Sequence, residues 1–160
     1  KTFFPSLSPV QAENSSSLIG REMLRSVQEG RACLYDGTED VLKLLRKKGY
    51  LLLFLSNCKR DYMDLHRNHF CLDRFFTAYY CGEDFGYKPK YEIFRQIQAD
   101  FPGNYVIIGD RFHDMEIAQK HNLKAVGCAY GYGNIEELSC ANAIIQNIRQ
   151  LPESLNTFSV

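Results

Sequence analysis

The feature that most constrains this chain is the alternation, from Tyr35 onward, of short apolar runs with amphipathic segments. Residues 51–55 form an uninterrupted apolar run of the length of a buried strand. Residues 104–108 and 124–129 are similar runs, each apolar or small after one polar residue, Asn104 or Lys124. Between these runs, apolar residues recur at helical spacing. Strands that alternate with helices build a parallel sheet with helices on both faces, so the sequence predicts an α/β fold.

The same pattern divides the chain into two parts. Residues 1–34 contain a Ser/Pro-rich stretch and one amphipathic segment that ends at Gly30, which predicts a helical accessory element. Residues 35–160 carry the alternating pattern and are predicted to form the core. The sequence predicts helices over residues 40–48, 91–99, 114–121 and 148–151 and from Ile135, and strands over residues 51–55, 74–80, 104–108 and 124–129. Residues 143–145 are a short apolar segment.

Composition excludes several classes of protein. Nineteen basic and nineteen acidic residues cancel without a basic cluster, which argues against a nucleic-acid partner. The longest apolar stretch, residues 50–55, is far shorter than the roughly 20 residues of a membrane-spanning helix, so no membrane association is expected. Six cysteines without a CxxC pair are predicted to be free thiols in a reducing, cytoplasmic compartment.

Polar side chains follow three of the predicted strands. Ligands of a doubly wound sheet bind beyond the carboxyl ends of its strands, where the sequence places Ser56, Asn57, Lys88, Asp110 and Asp114. A hydroxyl, an ammonium and two carboxylates suit a phosphate and a hard cation such as Mg²⁺. Each also has a purely structural explanation, because serine and aspartate commonly cap helices and a Lys-Pro pair commonly opens one.

Four segments around these residues resemble the motifs of one family. Residues 34–42 are similar to its re-entry from cap to core, 53–57 to its second motif, 87–94 to its third and 106–118 to its fourth. On these motifs the chain resembles the haloacid dehalogenase superfamily, particularly its phosphoglycolate-phosphatase-like members, from Tyr35 to Leu151. Residues 129–133 are similar to the loop after the family's next strand.

The resemblance implies a Rossmann-like core and a Mg²⁺-dependent phosphatase that acts on a small phosphorylated metabolite through an aspartyl-phosphate. Residues 1–34 would then be a remnant of the family's helical cap, or a linker. Ser56 and the amide of Asn57 would bind the transferring phosphoryl group, and Lys88 would hold its charge. Asp110 would bind Mg²⁺ with the assistance of Asp114.

The aspartate nucleophile of that chemistry, which belongs to a DxDGT-like motif, is missing from the sequence. Asp36 lies in an Asp-Gly pair too close to Ser56, with Leu34 at the nucleophile position, and is predicted to be a turn residue. Ser6 and Ser8 are a second candidate, which would make the chain a catalytically degenerate phosphate-binding or regulatory module, with residues 1–4 as its central strand. The third expectation, which we favour, is that the sequence begins inside the cap and the nucleophile strand lies outside it.

The sequence permits two roles for each of two aromatic residues. Tyr130 and Tyr132 follow a predicted strand at the same edge of the sheet, where they either belong to the core or line the pocket. The sequence leaves the metabolite and the oligomeric state open.

Overall fold

The computed structural model describes residues 6–158 of the chain. Its helices are α1 (Pro9–Gln28), α2 (Thr38–Lys47), α3 (Arg60–His69), α4 (Lys90–Asp100), α5 (Phe112–His121) and α6 (Leu151–Asn156). Its strands are β1 (Leu53–Ser56), β2 (Ala78–Cys81), β3 (Val106–Gly109), β4 (Lys124–Cys128) and β5 (Ala143–Ile145).

All strand pairs of the described residues are parallel, in two groups. β1 pairs with β2, with Ser56 opposite Cys81. β3 pairs with β4, and β4 pairs with β5. Parallel strands joined by helices are the arrangement that the alternating pattern predicts, so the α/β class is confirmed.

The two groups of strands belong to one layer between two layers of helices. On one face, a single apolar cluster joins Ile93 of α4 and Met115 of α5 to Leu55 of β1 and Ile107 of β3. On the other face, α2 packs toward both groups through the clusters that contain Leu45 and Leu42. Helices therefore cover both faces and span both groups of strands.

Within residues 6–158 the two groups are not hydrogen-bonded to each other, and we call the unpaired position between β1 and β3 the slot. Leu52, directly before β1, packs against the clusters on both sides, whereas Tyr79 of β2 packs only against the cluster beside β2. The order across the layer is therefore β2, β1, slot, β3, β4, β5. Within residues 6–158, β1 pairs only with β2 and β3 only with β4. All four residues of β1 are only partly buried, and Ile108 of β3 is 39% exposed, although interior strands of parallel sheets are normally buried on both faces.

The amino-terminal helix α1 lies apart from this layered core and packs against α3. It is longer than predicted and begins at Pro9, because the Ser8 hydroxyl accepts a hydrogen bond from the amide of Gln11 as an N-cap. Its predicted stop is confirmed: Gly30 has a φ of +70° and donates to the carbonyl of Val27. Ser8 thus caps a helix, and the strand that would lead to it, residues 1–4, lies outside the described residues.

Three of the predicted elements were wrong in extent or type. Residues 74–77 are not a strand, because the amides of Phe75 and Phe76 bond to the carbonyl of Leu72 in a 3₁₀ turn that buries the Phe75 ring. The helix predicted from Ile135 is one 3₁₀ turn, Ile135–Leu138. The last predicted helix is a 3₁₀ turn, Ile148–Gln150, which leads directly into α6.

Two further expectations bear on the class of protein. All six cysteines are free thiols, as predicted. None of the helices formed by residues 6–158 combines the length and the apolar character needed to cross a membrane.

Candidate active site

The candidate site lies where β1 and β3 end on either side of the slot. Ser56 is the last residue of β1, and Asp110 follows the last residue of β3. Carboxyl ends of parallel strands meet at one edge of a sheet, so the hydroxyl and the carboxylate face the same crevice. Lys90, the first residue of α4, and Asp114, in the first turn of α5, join them there.

A buried ion pair connects two of these elements. Lys90 Nζ donates to Asp114 Oδ1 at 2.6 Å, and both side chains are 11% exposed. The other oxygen, Asp114 Oδ2, accepts the backbone amide of Arg111 at 3.2 Å. Both carboxylate oxygens of Asp114 are therefore engaged, and the pair fixes the ammonium group of Lys90 between α4 and α5.

The structure brings Lys90, and not Lys88, to Asp114. Lys88 is exposed and lines a depression of about 340 Å³ together with Glu92, Arg95 and three other residues. Pro89 is the N-cap of α4, so Lys88 precedes the helix while Lys90 occupies its first position. Lys88 and Lys90 flank Pro89, so the Lys-Pro-Lys sequence carries an ammonium group on each side of the proline. Only the Lys90 ammonium group reaches Asp114.

Ser56 and Asn57 form the other side of the crevice with a residue that sequence reasoning did not select. The Cys58 thiol lies near the Ser56 hydroxyl and Lys90. Burial raises the pKa of the Cys58 thiol, and the nearby Ser56 hydroxyl and Lys90 charge oppose that rise only in part. The raised pKa favours the neutral thiol. Asn57, between Ser56 and Cys58, is exposed to solvent.

Asp110 is held by the loop that follows β4. Its Oδ2 accepts the backbone amide of Tyr132 at 2.6 Å. A Cβ atom at Gly131 would overlap the Asp110 carboxylate, and one at Gly133 would overlap the Asp110 carbonyl oxygen. Only glycine fits at these two positions, so the Gly-Tyr-Gly sequence at residues 131–133 is explained by its close approach to Asp110.

The carboxylates fit a magnesium ion in part. Asp110 has one oxygen, Oδ1, without a protein hydrogen bond among the described residues, while both oxygens of Asp114 are engaged. Within residues 6–158, no three histidine, cysteine or acidic side chains are grouped closely enough to hold a metal ion. Because Mg²⁺ keeps several waters and takes one or two carboxylates plus substrate phosphate, Asp110 suits it as one ligand of such a set.

A second carboxylate, Glu137, orients the loop between Asp110 and α5. Glu137 Oε2 accepts the amide of Phe112 at 2.8 Å and Arg111 Nε at 2.9 Å. The Phe112 amide, followed by the Arg111 guanidinium, lowers the pKa of the Glu137 carboxyl. Glu137 was not among the predicted site residues, because its sequence position, in a turn after β4, carries no motif.

Gly109→Ala is expected to displace Asp114, because the new Cβ would overlap the Cβ of Asp114, which Lys90 and Arg111 hold in place. Overpacking of this kind typically costs about 1–3 kcal/mol of unfolding free energy, measurable by urea denaturation. Gly103→Ala is the matched control, since no atom lies within 4 Å of its Cβ position. Equal stability of the two variants would show that Asp114 is free to move.

The sequence of this chain matches a known protein family. Residues 9–128 match the sequence profile of the family described as "Haloacid dehalogenase-like hydrolase". A curated relative, a 5'-nucleotidase of Pseudomonas aeruginosa, is 30% identical over 110 residues, which are 66% of this chain and 49% of the relative. The chain thus spans about half the length of that curated relative.

Two solved structures show the same fold. A haloacid dehalogenase-like family hydrolase from Streptococcus pneumoniae is 20% identical, with a TM-score of 0.77 over 96% of this chain and 74% of that chain. A protein from Bacillus subtilis assigned as a HAD-hydrolase, solved with bound magnesium, is 22% identical, with a TM-score of 0.64 over 77% of this chain and 55% of that chain.

Proposed function

This chain belongs to the haloacid dehalogenase-like hydrolase family, and we propose that its crevice is the phosphoryl site of a phosphatase for small phosphorylated metabolites. The observation that carries the proposal is the convergence of Ser56, the Lys90–Asp114 pair and Asp110 at one edge of the sheet. These groups supply a hydroxyl donor, a fixed positive charge and a carboxylate with one free oxygen. That set matches the needs of a phosphoryl group that carries negative charge.

Each residue of the crevice has a role in this proposal. The Ser56 hydroxyl and the Asn57 amide donate to the phosphoryl oxygens. The Lys90 ammonium offsets their charge, and Asp114 positions it. Lys88 is the lysine that the motif indicates for this role, and the ion pair with Asp114 favours Lys90 instead.

The magnesium ion belongs to the proposal through Asp110. When bound, Mg²⁺ neutralises phosphoryl oxygens and orients the group for attack. Asp110 would hold it through Oδ1, since Oδ2 accepts the Tyr132 amide. Asp114 would assist by keeping Lys90 beside the site. The magnesium in the Bacillus subtilis neighbour supports this choice of ion.

The nucleophile in this proposal is an aspartate on a strand outside the described residues that inserts between β1 and β3. The support is the slot itself: two parallel strands with unpaired edges inside residues 6–158, and helices across both faces. Unpaired edges of this kind are normally covered or paired. The carboxyl end of a parallel strand in the slot would lie between Ser56 and Asp110. Its carboxylate would bond to phosphorus as the ester oxygen leaves, and water would then release phosphate.

A second candidate function is a catalytically degenerate module that binds phosphate without turnover. It depended on Ser6 and Ser8 at the end of a central strand. The observation against it is that Ser8 caps α1, a helix that packs against α3. Residues 1–34 belong instead, in our proposal, to the helical cap, and residues 35–160 to the core, in a protein that works in the cytoplasm.

The phosphatase proposal is tested by hydrolysis of 4-nitrophenyl phosphate by the native protein, with MgCl₂ and with EDTA. We expect turnover in magnesium and its loss in EDTA. Inorganic phosphate that binds to a native protein without any turnover would support the degenerate module instead, and turnover that EDTA leaves unchanged would argue against the metal.

A further inference from the structure

A cavity of about 440 Å³ lies beside the crevice, within the 300–1,000 Å³ that is usual for small-molecule sites. Two tyrosines form one wall: the rings of Tyr35 and Tyr130 meet edge to face, with their centroids 4.9 Å apart. Residues 146–149, which follow β5, form the other side. The cavity therefore combines aromatic surface with polar side chains.

The polar side of the cavity has hydrogen-bonding capacity to spare. The Gln146 side-chain amide has no hydrogen-bond partner among the described residues, and Asn147 uses only its Oδ1, which accepts the amide of Arg149. The Arg149 guanidinium bonds to Asp36 at 3.1 Å and packs against Gly37. A planar cation, two amides and two aromatic rings are groups that stack on and hydrogen-bond to a flat heteroaromatic ring.

The cavity is coupled to the crevice through one short loop. Tyr130 lines the cavity, and Gly131, the next residue, contacts the Asp110 carboxylate. Burial raises the pKa of Tyr35, and Tyr132 and the Asp110 carboxylate add to the rise. A group in the cavity and a phosphoryl group at Asp110 would therefore be neighbours.

We propose that this cavity receives the nucleobase of a nucleoside monophosphate whose phosphate occupies the crevice. The proposal rests on the phosphatase function above and names the class of substrate that it would act on. The base stacks against Tyr35 and the Arg149 plane, and its edge bonds to the amides of Gln146 and Asn147. Tyr35 is the residue with the clearest test, because it is 51% exposed and its loss should not perturb the core.

The test is a set of calorimetric titrations of the native protein in EDTA, where the proposed hydrolysis does not proceed. The probes are AMP, ribose 5-phosphate, adenosine and inorganic phosphate. Because a stacked base contributes on the order of tenfold or more in affinity, AMP should bind at least about tenfold more tightly than ribose 5-phosphate. Tyr35→Ala should abolish that difference and leave ribose 5-phosphate unchanged, while Tyr35→Phe, which keeps the ring, should retain it.

The outcomes separate this proposal from the phosphatase proposal. Equal affinities of AMP and ribose 5-phosphate, or a difference that survives in Tyr35→Ala, would overturn the base site while leaving the phosphate site intact. Adenosine that binds in a Tyr35-dependent manner, in a protein that binds inorganic phosphate neither in EDTA nor in MgCl₂, would support the base site and refute the phosphoryl site.

Discussion

Replacement of Lys90 by alanine is expected to lower the free energy of unfolding by about 3–5 kcal/mol, the usual cost of breaking a buried ion pair. The variant leaves the Asp114 carboxylate, 11% exposed, without its charged partner at 2.6 Å. It should also lose affinity for inorganic phosphate, because the crevice loses its fixed positive charge. Urea denaturation and calorimetry measure the two effects.

Lys88→Ala is the matched control for this experiment. Lys88 is exposed, and among the described residues no carboxylate lies within ion-pair distance of it. We expect its effect on stability to stay within about 0.5 kcal/mol, as for most surface substitutions. A large loss of phosphate affinity in Lys88→Ala, with none in Lys90→Ala, would return the role to the lysine that the motif indicates.

Asp110→Asn is expected to reduce magnesium-dependent hydrolysis by the native protein by at least about 10²-fold, the scale on which a preorganised charge-stabilising group acts. The amide is isosteric with the carboxylate, and its oxygen can still accept the Tyr132 amide, so the loop should keep its structure. The charge that attracts the ion is lost. The measurement is the rate of aryl phosphate hydrolysis as a function of MgCl₂ concentration.

An exposed aspartate outside the crevice, Asp61, provides the control. Asp61→Asn removes the same charge from α3 and should leave the magnesium dependence unchanged. If Asp110→Asn and Asp61→Asn respond alike to magnesium, Asp110 is not a ligand.

The sequence predicted the layered α/β core because its signal is local. Residues 51–55 and 105–108 are apolar without interruption, a pattern typical of an interior strand of a parallel sheet. The strand predicted over residues 74–80 was too long for the same reason, because aromatic residues favour strands. Residues 78–80 do belong to β2, but a 3₁₀ turn buries Phe75 against α2. Only the tertiary packing distinguishes the two outcomes.

The candidate site was predictable where a residue follows a strand directly. Ser56 and Asp110 lie at strand ends, and the edge of the sheet brings them together. The choice between Lys88 and Lys90 depends on where α4 begins, one or two residues that sequence patterns do not fix. Glu137 bonds to Arg111, which lies 26 residues away in the sequence, and no local sequence pattern predicts a contact over that separation.

The turn at Asp36 was predictable from its local sequence, the Asp-Gly pair. Gly37 has a φ of +80°, and the amide of Thr38 bonds to the carbonyl of Tyr35, so Asp36 lies in a turn as predicted. Its side chain is 93% exposed and pairs with Arg149. Asp36 therefore contributes to the cavity beside Tyr35 and not to a nucleophile strand.

The most direct measurement is the change in backbone amide chemical shifts of the native protein during titration with inorganic phosphate in MgCl₂. We expect the largest changes at Asn57, Cys58 and residues 111–114, around the ends of β1 and β3. Changes that centre on Lys88 and Arg95, in the depression on α4, would contradict this expectation, and so would a spectrum that phosphate leaves unchanged.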